Sequence, residues 1–287
     1  MEGVSNLLHK HRDGELTVVD GSTTRNPMVA DYSEWKARDY FQTYYSEVVL
    51  PDEQAVLAYQ IDVLRAARAR FGRGLEYGCG PTMHRAIAAS KYAFRIDMAD
   101  WLAENLAEAR EWLCADDSAP EWKRFTRYVL ACEGHARPNN ERLAKREALT
   151  RKVVRGLYVS DARLRQPLGP TRAAFYDLVI TGFCIDAISS DRAVWRRCMR
   201  NVTSMLQPGG TFIIHALHQC KAYKCGDRMF PGSNLSIDDM RDAMLENGFV
   251  NSSIDVQVIP CRDNAIYGYS GILTASGRKT PAKTRKP

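Results

Sequence analysis

The chain has 287 residues, of which 45% are hydrophobic and 26% charged, so it can bury the core of one large globular domain. Its formal charge is +6, but residues 274–287 hold five Lys and Arg residues and no acid, which leaves about +1 for the rest. This balance argues against a nucleic-acid-binding surface, and no apolar run reaches the roughly 18 residues that a membrane span needs.

The chain opens with polar, irregular residues 1–31, which we predict to be a flexible N-terminal segment. Residues 32–70 have helical periodicity, with Tyr40 and Tyr44 spaced four residues apart. Short apolar runs then alternate with amphipathic helical stretches, which predicts an α/β fold with a mostly parallel sheet and helices on both faces. The predicted parallel strands are residues 74–77, 93–99, 157–161, 176–182 and 211–217.

A polar stretch at residues 115–150 interrupts this alternation, and we predict a partly helical extension there. The motif QPGG at 207–210 is expected to end a helix and begin the next strand. Residues 252–260 and 265–276 read as a closing antiparallel pair, so the main domain covers 71–275 and a basic, disordered tail covers 276–287. Eight scattered cysteines without a CxxC pair favour a reducing, cytoplasmic compartment.

The stretch GLEYGCGPT, residues 74–82, joins the first strand to a helix through Gly78 and Gly80. Glycines let the backbone approach a ligand closely, but a third glycine of the dinucleotide pattern is replaced by Met83. Glu76 stands near the loop and would disfavour a pyrophosphate while favouring a cation. Asp100, at the end of the second strand, can accept the hydroxyl protons of a ribose. Together these residues predict S-adenosylmethionine, a cationic nucleoside without phosphate.

Asp161 ends the third predicted strand and would lie at the same sheet edge. A side chain or backbone group there can reach an adenine ring. Asp is also a common turn residue, so both interpretations stay open for Asp161 taken alone.

Several motifs in a fixed order resemble the nicotinamide, phenylethanolamine and thioether or indolethylamine methyltransferases, including bacterial members of that family. The resemblance covers roughly residues 36–275. It rests on RDYFQTYY (38–45), GCGPT (78–82), MADWLAENLAEAREWL (98–113), SDARLRQPLG (160–169), DLVITGFCIDA (177–187), LQPGG (206–210) and HALHQCKAYKCGDRMF (215–230). It implies a class I methyltransferase (Rossmann-like) fold with a seven-stranded, mostly parallel sheet and a helical N-terminal lid at 32–70.

The resemblance also implies the cofactor-binding residues, from the lid through the glycine loop to the ends of the strands. These are Tyr40, Tyr45, Gly78, Cys79, Gly80, Thr82, His84, Asp100, Asn105, Asp161, Ala162, Gly182 and Phe183. Three positions on the substrate side depart from relatives: His84 replaces Tyr, His215 replaces Asp and His218 replaces Glu.

Methyl transfer from a sulphonium requires mainly alignment and exclusion of water, so we assign Tyr40 and Tyr44 of the lid a catalytic role. His218 is the candidate base that would keep an amine neutral, although a polar strand-end histidine is the alternative. No metal site is predicted, because residues 215 and 218 of one strand point to opposite faces.

The sequence therefore predicts a methyltransferase that uses S-adenosylmethionine, leaves S-adenosylhomocysteine and methylates a nitrogen of a small molecule, possibly in secondary metabolism. The expected partner is an amine, with no nucleic acid and no membrane, and the oligomeric state is not predicted. Alternatives are S-, O- or C-methylation, intramolecular alkyl transfer or cyclisation of the same cofactor, and a macromolecule-directed binder or modifier that uses the basic tail.

Overall fold

A seven-stranded sheet with the order β3-β2-β1-β4-β5-β9-β8 forms the centre of the protein. The computed structural model describes residues 30–33, 35–67, 69–225, 227–261 and 268–282. β1 to β5 are parallel neighbours, and β9 runs antiparallel to both β5 and β8. The strands are β1 (Gly74–Tyr77), β2 (Ile96–Asp100), β3 (Val154–Val159), β4 (Tyr176–Gly182), β5 (Leu206–His218), β8 (Asp255–Pro260) and β9 (Gly271–Arg278). A separate antiparallel hairpin consists of β6 (Ala222–Cys225) and β7 (Arg228–Pro231).

Helices cover both faces of the sheet, as the alternation of apolar runs predicts. They are α1 (Ala37–Tyr44), α2 (Pro51–Ala66), α3 (His84–Ala89), α4 (Ala103–Leu113), α5 (Lys123–Cys132), α6 (Asn140–Val153), α7 (Arg192–Thr203) and α8 (Ile237–Glu246). None of the helices among the described residues combines the length and apolar character needed to cross a membrane.

The fold class is confirmed, and the strand positions agree closely with the prediction. β1 and β4 have the predicted bounds because their residues form short apolar runs, buried on both faces, between polar turns. β5 begins at Leu206, so QPGG lies inside the strand and not in a turn before it. Leu206 pairs with Tyr176, and a shift in register follows before Thr211 pairs with Leu178.

Two hydrophobic cores lie on opposite faces of the sheet. On one face, side chains of α2 to α5 pack against Met98, Ile180 and Ile213. On the other face, α7 and α8 pack against strand residues that include Val179 and Ile214. Because α7 is strongly amphipathic, its buried stripe faces the sheet and its arginines face solvent. Both cores leave the carboxyl ends of the strands accessible to the lid.

The segments at the predicted boundaries are placed as follows. The extension at 115–150 contains α5 and most of α6, which leads directly into β3. β9 runs through the predicted start of the tail at residue 276, which corrects that boundary. Ser276 is buried and accepts a hydrogen bond from the Tyr59 hydroxyl (2.9 Å). The predicted flexible segment 1–31, apart from residues 30 and 31, and residues 283–287 of the tail lie outside the described residues.

Candidate active site

A cavity opens beyond the carboxyl ends of β1 to β4, where open parallel sheets bind ligands. Residues 30–33 and 35–45, which include α1, cover it. The predicted residues on its wall are Tyr40, Tyr44, Tyr45, Gly78, Cys79, Gly80, Thr82, Asp100, Asn105, Asp161, Ala162, Gly182 and Phe183. The described wall includes neither His84 nor His218.

The glycine loop after β1 has two residues with left-handed backbone. Gly78 has a φ of 68° and Gly80 a φ of 57°. A Cβ on Gly78 would lie 2.1 Å from the Cys184 Sγ, whereas a Cβ on Gly80 would stay 3.9 Å from the Tyr40 ring. Gly78 is therefore required by crowding, and Gly80 keeps open a space between the loop and the lid.

The Asp100 carboxylate is held at the cavity by three donors. It accepts hydrogen bonds from the Gly80 N–H (2.8 Å), the Leu102 N–H (2.9 Å) and the Asn105 amide (3.0 Å). Burial raises the pKa of Asp100, and these donors oppose that effect. A carboxylate has about four lone-pair sites, so Asp100 retains the capacity to accept hydroxyl protons from a ligand.

Trp35 connects the lid to Asp100 through Asn105, a link that the sequence prediction missed. Its indole Nε1–H donates to the Asn105 Oδ1 (2.9 Å), while the Asn105 amide donates to Asp100. Asn105 thus positions Asp100, and because it also lines the cavity its contact with the ribose stays a prediction. A single Trp before a helix gives no sequence signal for such a contact.

The lid tyrosines form a neutral aromatic cover over the cavity. The Tyr40 and Tyr45 hydroxyls lie 3.5 Å apart, and the Tyr44 hydroxyl donates to the Lys224 carbonyl of β6. Burial raises the pKa of Tyr45 to about 12, so its phenol stays protonated at neutral pH. Phe41 differs from its neighbours because its ring turns to Trp122, with centroids 5.3 Å apart.

The β6–β7 hairpin packs against the lid through aromatic rings. The Phe230 ring stacks on Tyr32 and on Tyr223, with centroid distances of 5.2 and 5.6 Å. Trp35 meets the same ring edge-on at 5.6 Å. These contacts attach the lid to the body of the protein through apolar surface and aromatic pairing.

Glu76 lies deeper than the sequence predicted. Its side chain is 2% exposed, does not reach the described cavity wall, and has both carboxylate oxygens without a hydrogen-bond partner among the described residues. Burial raises its pKa to about 8, although the charge of Arg85 opposes that effect. Glu76 is therefore mostly protonated at neutral pH and does not present an anion at the glycine loop.

Replacing Glu76 by Gln is expected to change how stability depends on pH. The folded pKa of about 8 lies above the ordinary value of 4.5, so between these values the native protein holds a proton that the unfolded chain has lost. As the pH rises from about 5 to 8, the free energy of unfolding of the wild type should therefore fall relative to that of Glu76→Gln, by up to about 1.4 kcal/mol per pH unit.

Urea unfolding at about pH 5.5, 7 and 8.5 measures this difference, which should level off above the folded pKa. Glu47→Gln, at an exposed site, is the control and should follow the wild type. Parallel stability curves for wild type and Glu76→Gln would contradict the burial of a protonated carboxyl group.

Asp161 lines the cavity but already has a cationic partner. The Arg163 guanidinium and backbone N–H donate four hydrogen bonds to its carboxylate, between 2.8 and 3.0 Å. Arg163 also lies 4.7 Å from the centre of the Trp101 ring, which is 44% exposed at the mouth of the cavity. The Asp161 side chain is thus committed to Arg163, and Trp101 offers an aromatic surface that the sequence prediction did not include.

His84 lies behind the wall, which differs from its predicted contact with the cofactor. Its ring stacks on Trp122 with centroids 5.3 Å apart, and its Nε2 lies 2.8 Å from the Glu53 Oε1. Burial lowers the pKa of His84 to about 4, so the ring is neutral at neutral pH. The His84 ring contacts Glu53, which lines the cavity, but does not line the cavity itself.

His218 also lies away from the described wall, so the structure does not support its predicted role as a base. Its Nδ1 is 2.7 Å from the Ser270 Oγ, while the neighbouring Leu217 lines the cavity. Adjacent residues of a strand point to opposite faces, which separates the two side chains. His215 is buried, with its Nδ1 2.8 Å from the Thr274 Oγ1.

Besides Arg163, three more charged residues that the sequence prediction missed line the cavity. Asp52 and Glu53 come from the first turn of α2, and Arg85 from α3. Burial opposes ionisation of Glu53, but the Arg85 charge and the contact with His84 outweigh it and lower the pKa to about 2. An anionic edge therefore lies in the same cavity as Asp100. Acids in a first helical turn are also common for helix stability, so the sequence offered no distinct signal.

The model of a family described as the NNMT/PNMT/TEMT family matches residues 28–280. Indolethylamine N-methyltransferase of Oryctolagus cuniculus is 28% identical over 220 residues, which cover 74% of this chain and 81% of that protein. Phenylethanolamine N-methyltransferase of Macaca mulatta is 24% identical over 269 residues, which cover 91% of this chain and 94% of that protein.

Among solved structures, the carbon methyltransferase CurJ aligns with a TM-score of 0.52 at 12% sequence identity. The alignment covers 83% of this chain and 57% of that chain. At this identity the likeness concerns the fold alone.

Proposed function

The chain belongs to the NNMT/PNMT/TEMT family and is a methyltransferase dependent on S-adenosylmethionine, and we propose that it methylates the nitrogen of a small amine that carries an aromatic ring. One observation carries the proposal: the carboxylates of Asp52 and Glu53 share a cavity with Asp100 and the aromatic lid. A protonated amine is the ligand that such an anionic, aromatic wall favours.

The residues around the glycine loop fit the cofactor. Asp100 is fixed at the wall and can accept from a ribose diol, and Gly80 leaves open space under Tyr40. Trp101 and Ala162 offer surface to an adenine beside Asp161, whose carboxylate is held by Arg163. When bound, the cofactor supplies a methyl group that is already activated on a sulphonium.

The acceptor is proposed to lie beside Asp52 and Glu53, where Phe183, Tyr223 and Tyr269 add aromatic surface. Amines attack through a free electron pair, so the protein must hold the amine close and accept its proton. Glu53 stays ionised and would hold an ammonium, while burial raises the pKa of Asp52, which makes it the better proton acceptor of the two.

The lid and the hairpin would contribute alignment and exclusion of water. Tyr40, Tyr44 and Tyr45 cover the cavity, and their aromatic faces attract a cation without neutralising it. Ordering two reactants in line can lower a barrier by about 7–11 kcal/mol in well-positioned systems. This proposal requires no histidine and no metal.

Asp52→Asn is expected to lower kcat/KM for amine acceptors by roughly tenfold or more, because it removes the carboxylate that is proposed to accept the proton of the amine. We choose Asp52 because Glu53 also contacts Arg85 and His84, so its replacement would disturb the wall. S-adenosylhomocysteine formation at varied amine concentration measures the change.

His218→Gln is the control, since His218 is a polar residue at the end of β5, beside the wall residue Leu217, but does not itself line the described wall. It should keep kcat and KM within about twofold of the wild type. If His218→Gln abolished turnover while Asp52→Asn left it intact, the assignment of the acceptor end would be wrong.

The proposed reaction is tested with a panel of small aromatic amines and matched thiols, phenols and carbon acids, each assayed for S-adenosylhomocysteine. Product mass must rise by one methyl group, and the methyl group must sit on nitrogen. Transfer only to sulphur, oxygen or carbon would overturn the proposal in favour of one of the alternative chemistries. Formation of a cyclised or alkyl-transferred cofactor product would do the same.

We also propose that the enzyme works in the cytoplasm and in secondary metabolism. The eight cysteines all lie among the described residues and none of them forms a disulfide there, which suits a reducing compartment. The macromolecule-directed alternative is not favoured, because the matched family and the relatives above act through small-molecule sites. Part of the predicted basic tail also belongs to β9 and not to a free arm.

A further inference from the structure

Arg85 is the buried cation of the cavity that the proposed reaction does not use. It lies in the first turn of α3, is 3% exposed and lines the cavity wall. Its guanidinium lies 5.1 Å from the centre of the Phe183 ring and beside Gly182, where a Cβ would come within 2.6 Å of the Nε. The absence of a side chain at Gly182 makes room for this arginine.

The hydrogen-bond donors of Arg85 are poorly satisfied. A guanidinium has five N–H groups, and the Nε of Arg85 has no partner among the described residues. The contact between its Nη2 and the Glu53 Oε1 is 3.5 Å, at the outer limit for a hydrogen bond. A buried donor without a partner is destabilising, so a ligand with two acceptor oxygens would stabilise this arrangement.

The other arginine on the described wall, Arg163, is in a different situation. It is bound in a bidentate pair with Asp161, which engages its Nε and Nη2 with a full carboxylate. In place of such a pair, Arg85 has the long contact to Glu53 and a contact with the Tyr45 hydroxyl. Of the two arginines on the described wall, Arg85 is therefore the one without a bidentate carboxylate partner, and it lies in the same cavity as Asp52 and Glu53.

We propose that Arg85 binds a carboxylate inside the cavity, an inference that rests on the proposed function of the site. Two ligands can bring that carboxylate: the amino-acid end of the cofactor, or a methyl acceptor that carries both an amine and a carboxylate. In the second case Asp52 and Glu53 would take the amine, and Arg85 would select zwitterionic acceptors over simple amines.

The first arm of the test compares two nucleosides. S-adenosylhomocysteine has the amino-acid end, and 5′-methylthioadenosine has the same adenosine and sulphur without it. If the carboxylate is the cofactor's, Arg85→Gln should weaken calorimetric binding of S-adenosylhomocysteine by roughly tenfold or more and leave 5′-methylthioadenosine within about twofold. Arg85→Lys should show an intermediate loss, because an ammonium keeps the charge without the planar fork.

The second arm compares tryptophan with tryptamine, which share the ring and the amine and differ by the carboxylate. If the carboxylate is the acceptor's, Arg85→Gln should lower kcat/KM for tryptophan relative to tryptamine by roughly tenfold or more. Affinity for S-adenosylhomocysteine should then stay within about twofold of the wild type.

Glu53→Gln/Arg85→Gln serves as the folding control, because removing both members of a buried pair is far less damaging than removing one. The double variant must show the same ratio of affinities in the first arm and the same ratio of kcat/KM in the second arm as Arg85→Gln. It replaces Arg85→Gln in the test if the single variant does not fold. Unchanged ratios in both arms would overturn the proposal. Failure of the proposed function would look different. In that case the wild type itself would not bind S-adenosylhomocysteine, whereas failure of the Arg85 proposal leaves wild-type binding intact and changes no ratio.

Discussion

Asp100→Ala is expected to weaken binding of S-adenosylhomocysteine by roughly tenfold or more. The substitution removes the proposed acceptor for the ribose hydroxyls. It also removes the oxygen that holds the Gly80 N–H at 2.8 Å and so fixes the glycine loop against β2. Hydrogen bonds to a charged group are worth about 1.5–3 kcal/mol each, so losing even one accounts for the expected change. Isothermal titration calorimetry measures it directly.

Asp97→Asn is the matched control for this experiment. Asp97 lies in the same strand and is fully buried, but it accepts hydrogen bonds from Arg172 (2.7 Å) and Tyr176 (3.0 Å), none of which lines the cavity. Its replacement should lower Tm and leave the affinity within about twofold. Wild-type affinity in a folded Asp100→Ala variant would mean that the ribose does not lie at the end of β2.

Gly78→Ala should lower the free energy of unfolding by about 2–4 kcal/mol. Part of the cost is the positive φ of 68°, worth about 1–2 kcal/mol for a residue with a Cβ. The rest is overlap, because the new Cβ would lie 2.1 Å from the Cys184 Sγ and 2.2 Å from its Cβ. Urea unfolding measures the loss.

Gly80→Ala separates the two causes. Gly80 has a similar φ of 57°, but its nearest neighbours to a new Cβ are 3.9 Å away, so only the backbone cost of about 1–2 kcal/mol applies. Gly78→Ala/Cys184→Gly should recover the difference, since the Cys184 Cα is 3.7 Å from the added methyl group. Equal losses for Gly78→Ala and Gly80→Ala, with no recovery in the double variant, would show that the crowding at Cys184 has no energetic effect.

Much of the sheet could be predicted because parallel strands leave a strong pattern. β1 and β4 are short, mostly apolar runs with a glycine directly after the strand or at its end, and both have the predicted bounds. The start of β5 was less predictable, because Pro208 and the two glycines after it resemble a turn. In the structure these residues continue the strand past an irregular register beside β4. The family resemblance, the fold class and the cofactor are confirmed.

The cofactor end of the cavity was more predictable than the acceptor end. Gly78, Gly80 and Asp100 lie close to strand ends, so the sequence position alone brings them to one edge of the sheet. Asp52 and Arg85 come from two helices, and whether such side chains face the cavity depends on how the helices pack. For the same reason His84 was predicted on the wall and lies behind it.

The central claim is that this cavity holds a positively charged nucleoside without phosphate, and titration of the purified chain with S-adenosylmethionine and with NAD tests it most directly. We predict one binding site per chain for S-adenosylmethionine, with competition by S-adenosylhomocysteine and no heat of binding for NAD. Binding of NAD without binding of S-adenosylmethionine would contradict the account.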